Sequence, residues 1–265
     1  MNKNEERKPR ENNYLYENKL IDKAIITATS AHAGQLRKGT TEPYITHPLQ
    51  VMSILNEMGA DTNLLIAGLL HDAIEDTGMT DEDILRDFGT DVLELVTAHT
   101  EDKSKSWEER KQHAINEIPD LPLRAKMLVM ADKAANLRSM ARDHKNVGEE
   151  LWGRFNRGKE KICWYYSKAQ DALEEMQFFS ETRDVYWEMV ELFKDLFVSY
   201  YYDEERERII QMAVNGEGYV SGRYMDGARR WEQEIPAGMI EISRGLAERL
   251  EDNWEDERGA DAVMS

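Results

Sequence analysis

At 265 residues, with 41% hydrophobic and 9% aromatic composition, the chain is long enough for one large domain or for a domain with an appendage, and for a proper buried core. A formal net charge of −18 argues against holding nucleic acid by general electrostatics or lying on anionic lipid, so an anionic ligand would need a local cluster of cations and a metal ion. Cys163, the single cysteine, rules out an intrachain disulfide and a thiolate metal cage and agrees with a reducing compartment.

The N-terminal stretch MNKNEERKPRENN has no apolar core for export, and the longest apolar run is far short of a membrane span. A cytoplasmic protein is expected, with neither membrane nor nucleic acid as partner. Residues 1 to about 13 are expected to form a polar tail. The spacing of Leu20, Ile21, Ala24, Ile25, Ala28 and Ala31 predicts an amphipathic helix from Leu20 to Ala33, ended by Gly34. A loop follows over residues 35–48 and carries the adjacent cations Arg37 and Lys38, which are either plain loop charges or ligand contacts. Pro48 suits the first turn of the next helix, whose apolar face is Leu49, Val51, Met52, Ile54 and Leu55. His47 therefore stands just before a helix start, as a capping or packing histidine or as a metal ligand.

The apolar run from Leu64 to Leu70 leads into His71-Asp72-Ala73-Ile74-Glu75-Asp76-Thr77. Read as one helix, this stretch pairs His71 with Glu75 and Asp72 with Asp76 at four-residue spacing, so all four share a broad face at a buried end. Such a face is either an ordinary acidic helix end or a place where His71 and Asp72 converge on a divalent cation, with Glu75 and Asp76 towards its open side. Thr80 ahead of Glu82 and Asp83 predicts an N-cap and a short helix through Phe88, and Gly89 separates it from another helix over Val92 to Val96. Residues 100–106 read as a polar loop. A second informative helix spans residues 123 to 140, with Leu123, Met127, Leu128, Met130 and Ala131 buried ahead of Asp132, and Asn136 on the same face as Asp132. Asp132 is either a surface acid paired with Lys133 or Arg138, or a ligand.

Taken together, His47, His71, Asp72 and Asp132 make a set of two histidines and two aspartates, each beside apolar helix sequence. The motifs PYITHPL at 43–49, LLHDAIEDT at 69–77, FG-x-x-V-x-x-LV at 88–96, TEDKS at 100–104 and ADKAANLR at 131–138 follow one another in an order and at a spacing that resembles the hydrolase domain of RelA/SpoT homologues. The resemblance covers roughly residues 20 to 170. With no room for the synthetase and regulatory domains of the bifunctional members, the chain is similar to the small alarmone hydrolases.

That resemblance implies an all-α fold, an HD-domain helical phosphohydrolase over residues 1–175 with an acidic helical C-terminal extension over residues 176–265. It implies Mn²⁺ as cofactor, with other divalent metals able to compete, held by His47, His71, Asp72 and Asp132. Glu75 and Asp76 would position and deprotonate the attacking water, and Arg37, Lys38 and Asn136 would contact a small-molecule nucleotide substrate. The implied reaction is hydrolysis of the 3′-pyrophosphate of ppGpp or pppGpp to GDP or GTP plus pyrophosphate. Two alternatives stay open: an HD phosphohydrolase acting on another nucleotide, such as the 2′-phosphate of NADPH, and a non-catalytic nucleotide-binding protein.

Where the small alarmone hydrolases present an aromatic to the guanine, Ile162, Tyr165 and Tyr166 do not match cleanly, and the aromatic cluster around Trp152 and Trp164 also reads as core. Residues 176–265 carry more than half of the net negative charge and read as mostly helical, for instance from Val185 to Tyr201. Breaks are expected at Asn215 to Gly222 and again at Pro236 and Gly238. The glycines at 216, 218 and 222 lack the Gly-Lys-Ser/Thr ending of a phosphate loop. This segment is expected to be a helical cover or an oligomerisation surface, which leaves a homo-oligomer open.

Overall fold

Helical periodicity governs most of the chain, and in the computed structural model residues 8–222, 231–232, 235 and 238–264 are described. Helix α1 (Lys8–Ala31) begins well before Leu20. The expected tail thus lies outside the described residues as far as residue 7 and is helix from Lys8 onward. Ala24 and Ala28 on α1 are fully buried, and their small side chains let a neighbouring helix come close. Gly34, at φ +78°, turns the chain into the loop that carries Arg37.

Helix α2 (Thr46–Glu57) starts one residue ahead of His47, so His47 and Pro48 lie buried in its first turn. Helix α3 (Thr62–Leu70) is capped by the Asp61 carboxylate, which accepts from the Leu64 amide at 3.0 Å. It lies against α1, α2 and α6 (Thr90–Thr97), and apart from its first residues it is almost wholly buried. Gly68 sets the α2–α3 distance: a Cβ there would stand 2.5 Å from Leu55 Cδ1, inside any permitted contact.

The stretch read as one helix through Asp76 is broken. Helix α3 stops at Leu70, and after two residues α4 (Ala73–Asp76) forms a single turn. Asp72 sits between them at φ −97°, ψ −3°, in the sparsely populated bridge region, which interrupts the hydrogen-bond ladder and turns the His71 and Asp72 side chains to a common centre. Downstream, α5 (Asp81–Phe88) carries a complete capping box from Thr80 and Asp83, and Gly89 at φ +89° separates it from α6. Helix α7 (Trp107–Glu117) has a second capping box, from Ser106 and Glu109.

Helix α8 (Leu123–Val147) runs seven residues beyond its expected end, and every residue from Ala125 to Ala135 is buried, Asp132 and Lys133 included. A helix buried all round is a core helix, and a charged pair inside it needs partners. Helices α9 (Gly158–Ala172) and α10 (Arg183–Phe197) follow. The chain divides into two units, residues 1–146 with 168–190, and residues 147–167 with 191–265. Among the described residues no helix is long and apolar enough to cross a membrane.

The helical reading of the C-terminal extension needs correction within an otherwise mostly helical chain. The helix expected to reach Tyr201 ends at Phe197, and β1 (Val198–Asp203) opens a five-stranded antiparallel sheet. With β2 (Arg208–Ala213), β3 (Gly218–Gly222), β4 (Trp231–Glu232) and β5 (Ile240–Ile242), the strand order is β4-β3-β2-β1-β5. Val198, Tyr200 and Tyr202 alternate onto one face, where Tyr200 and Ile209 pack with Ala247 and Trp254 of α11 (Arg244–Met264). The expected break at 215–222 is the turn into β3 and that strand itself, while of the other two breaking residues Pro236 lies outside the described residues and Gly238 has φ +92°.

Candidate active site

Four elements of the first unit bring His47, His71, Asp72 and Asp132 to one point. From the first turn of α2, His47 Nε2 lies 3.1 Å from Asp132 Oδ1 and 3.7 Å from Asp72 Oδ2. From the end of α3, His71 Nε2 lies 3.1 Å from Asp72 Oδ2 and 3.8 Å from Asp132 Oδ1. The other His71 nitrogen, Nδ1, is 2.9 Å from the Gly68 carbonyl and can only donate there. In the neutral ring that bond fixes the tautomer and leaves the lone pair on Nε2, an atom buried with no hydrogen-bond partner.

Asp132 is held from both sides. Its Oδ1 accepts from Asn136 Nδ2 at 2.7 Å and its Oδ2 from Lys133 Nζ at 2.5 Å. The surface-acid alternative for Asp132 fails on burial, at 5% exposure, and Arg138 turns away to Glu188. Asp72 Oδ2 accepts from the Tyr44 hydroxyl at 2.5 Å.

The electrostatics follow from burying two carboxylates among imidazoles. Burial pushes the Asp72 carboxyl up, but His71 outweighs it and holds the group far below the usual carboxylate range. Asp132 is likewise depressed, burial being overcome by Lys133 and His47. His71, which burial alone would make less basic, is raised to about 9 by Asp72 and Asp132, whereas His47 is lowered by burial. The pocket thus calls for positive charge between its two carboxylates. Orphaned imidazole nitrogen, two carboxylates and near-complete burial fit a divalent transition metal, with Gly68, Asn136, Lys133 and Tyr44 orienting the donors.

On the adjoining turn of α4, Glu75 is half-buried, and its carboxyl is pushed up by burial and by the nearby Glu101 and Asp72, with Lys103 opposing. Asp76 Oδ1 pairs with Lys103 Nζ at 2.7 Å, and its backbone carbonyl accepts from Gln35 Nε2 at 2.8 Å. Arg37 donates to Asn136 Oδ1 at 2.9 Å, so the Arg37 loop is tied to the Asp132 end of the site. Lys38 is not drawn in: it is exposed and makes no hydrogen bond or ion pair among the described residues.

Sequence reasoning passed over Tyr44, His99 and Lys103. Tyr44 stacks on His32 at 4.7 Å and meets His47 edge-on at 5.9 Å. His99 Nε2 is 3.6 Å from Asp132 Oδ2, and its ring stands edge-on to His71 at 5.2 Å. The signals were adjacency alone, since Tyr44 lies inside PYITHPL, His99 immediately precedes TEDKS, and Lys103 lies within it.

A family profile described as HD domain matches residues 24–153. Guanosine-3′,5′-bis(diphosphate) 3′-pyrophosphohydrolase MESH1 of Xenopus tropicalis is 42% identical over 157 residues, which is 58% of this chain and 83% of that protein. The chain belongs to the HD-domain family of small alarmone hydrolases. Among solved structures, a metazoan orthologue of SpoT that hydrolyses ppGpp superposes with a TM-score of 0.57 at 29% identity, over 66% of this chain and 94% of that one. Against the bifunctional (p)ppGpp synthase/hydrolase SpoT of Escherichia coli, this small alarmone hydrolase is 38% identical over 137 residues, 48% of its own length and 19% of SpoT. Its His/Asp group can hold a metal ion: the ligand atoms of His47, His71 and Asp132 lie within 4.8 Å of one another, as do those of His71, Asp72 and His99. Ile162, Tyr165 and Tyr166, where the resemblance puts a base-facing aromatic, are buried in the second unit, with the two tyrosine rings edge-on at 5.4 Å.

Proposed function

We propose that this small alarmone hydrolase cleaves the 3′-pyrophosphate from ppGpp and pppGpp, releasing pyrophosphate and leaving GDP or GTP, with Mn²⁺ held by His47, His71, Asp72 and Asp132. The observation that carries the reading is the convergence of the buried His47, His71 and Asp132 with the largely buried Asp72, beside the Glu75 and Asp76 carboxylates. The substrate class comes from the relatives, of whose lengths this chain covers 83% and 94%.

A divalent ion at this point lowers the pKa of water and neutralises charge developing on phosphoryl oxygens. The chain's own residues do the rest. Glu75, already biased towards holding a proton, accepts the one that the attacking water gives up. Asp76, fixed by Lys103 and by Gln35 through its backbone, orients that water. Arg37 and Asn136 form a hydrogen-bonded pair at the rim and offer a guanidinium and an amide to the anionic nucleotide, with Lys38 adding charge from the same loop. In a chain of net charge −18, these local cations hold a polyanion where the surface at large repels it.

The deciding experiment follows pyrophosphate and nucleotide release from ppGpp with Mn²⁺, with chelator, and with NADPH and GTP as competing substrates. Pyrophosphate and GDP from ppGpp, lost with chelator and in Asp72→Asn, are expected. Phosphate from NADPH with no pyrophosphate from ppGpp would replace the substrate half of the reading.

A further inference from the structure

We propose that His99 is a fifth protein donor of the metal centre, which makes the site one of three imidazoles and two carboxylates. The inference rests on the reading of His47, His71, Asp72 and Asp132 as ligands, and it deepens that reading by adding a residue outside the motifs that led to it.

Three observations carry it. The first is position. His99 Nε2 comes to 3.6 Å from Asp132 Oδ2, and its ligand atom lies within 4.8 Å of those of His71 and Asp72, so it borders the same space as the other donors. The histidine rings form a row, each edge-on to the next, with centroids 5.1 Å apart between His47 and His71 and 5.2 Å between His71 and His99.

The second is rigidity. His99 follows α6 directly, its amide donates to the Val96 carbonyl at 3.0 Å, and the hydroxyl of Thr100 returns to the same carbonyl at 3.0 Å. Backbone held on both sides of Cα aims the ring inward, and the side chain keeps only 11% exposure.

The third is the lack of any other partner. Among the described residues neither ring nitrogen of the partly buried His99 makes a hydrogen bond, and its nearest charged neighbour is Asp132, so the ring is not committed to another protein partner.

The chemical consequence is a change in preference. Two imidazoles and two carboxylates suit Mn²⁺, while a third imidazole moves the site towards Fe²⁺, Co²⁺ and Zn²⁺, which bind nitrogen more strongly. The parent chain should therefore hold Co²⁺ more tightly than Mn²⁺, and by a wider margin than a variant without His99.

The test titrates the metal-free 265-residue chain with Co²⁺ and with Mn²⁺ against a chromophoric chelator and records the visible absorption of bound Co²⁺. His99→Ala and His99→Gln are compared with the parent, and Asp72→Asn and His71→Ala serve as controls, each checked for folding by circular dichroism. In both His99 variants Co²⁺ affinity is expected to fall by about tenfold or more, the Co²⁺ bands to shift, and Mn²⁺ affinity to change less. Added imidazole should restore the parent spectrum in His99→Ala. Unchanged Co²⁺ affinity and spectrum in both His99 variants would overturn the proposal. Undiminished Co²⁺ binding in both controls would instead remove the metal centre on which it rests, and the two failures are told apart because they strike different variants.

Discussion

The Tyr44 hydroxyl donates to Asp72 Oδ2 at 2.5 Å across 28 residues of sequence, and it lies 3.4 Å from Asp76 Oδ2 on the next turn. One phenol therefore reaches both the carboxylate proposed as a metal ligand and the one proposed to orient water. Burial, then Asp72, pushes its own ionisation up out of range, so it remains a donor at any working pH. Its ring is clamped by stacking on His32, which in turn holds Gln35 at 2.8 Å. Replacing Tyr44 by Phe keeps the ring and removes only the donor. Metal affinity should fall by about 10- to 100-fold, as is usual when a ligand loses its orienting hydrogen bond. A chelator-competition titration measures this, and equal affinity in the two proteins would mean that Asp72 needs no such support.

Glu75 and Asp72 should separate cleanly on mutation, because the proposed mechanism gives one a proton and the other a metal to handle. Glu75→Gln keeps shape and hydrogen bonding but cannot accept a proton, so kcat on ppGpp should drop by about 10²- to 10⁴-fold with metal affinity nearly unchanged. Asp72→Asn should lose metal and turnover together while the apo protein stays folded. Metal content by mass spectrometry, read beside steady-state kinetics, distinguishes the two. A Glu75→Gln enzyme at full speed would remove the general base from the mechanism.

How far the sequence carried these assignments depended on whether a feature was local. The cap at Thr80, the break at Gly89 and the apolar run ahead of His71 are all written in short stretches, and each has its counterpart in α3, α5 and α6. Tyr44 and His99 were not legible, because their partners lie tens of residues away and are brought in only when α2, α4, α6 and α8 pack. The break at Asp72 was hidden for the opposite reason: i→i+4 spacing of His71 with Glu75 is satisfied by an unbroken helix as well as by two pieces. Beyond Phe197, the run Val-Ser-Tyr-Tyr-Tyr has strand-forming residues but follows a strong helical pattern without a stop signal. Pairing with β2 then decides what propensity leaves undecided.

The metal-free protein should be less stable at neutral pH than in mild acid on account of Glu75. Its folded pKa is raised by burial, then by Glu101 and Asp72, above that of the unfolded chain, about 4.3 for a free glutamate. The folded state then binds more protons than the unfolded state between those two values, so stability falls as pH rises through that window and stays lower above it. Glu75→Gln removes the charge and with it this dependence. Urea midpoints of the apo forms, measured from below pH 4.3 up to neutrality, should diverge with rising pH in favour of the variant. Parallel curves would show that Glu75 is well solvated and that its environment costs the fold nothing.

Gly68 links the packing of the fold to the proposed metal centre. It lets α3 approach α2 until a Cβ would meet Leu55 Cδ1 at 2.5 Å, and its carbonyl receives His71 Nδ1 at 2.9 Å. In a helix, Gly→Ala ordinarily gains about 1 kcal/mol. Here Leu55 is fully buried, so its Cδ1 can move only against packed neighbours; overpacking of about 1–3 kcal/mol opposes that gain, and a net loss of up to about 2 kcal/mol is expected for Gly68→Ala. Pushing α3 away from α2 also shifts the carbonyl that sets the His71 tautomer, so metal affinity should fall along with Tm even though residue 68 touches no metal. Thermal melts and chelator competition on the same preparation test both halves. A variant that melts higher and binds metal normally would mean that Leu55 repacks freely and that the close approach of the two helices is incidental to the site.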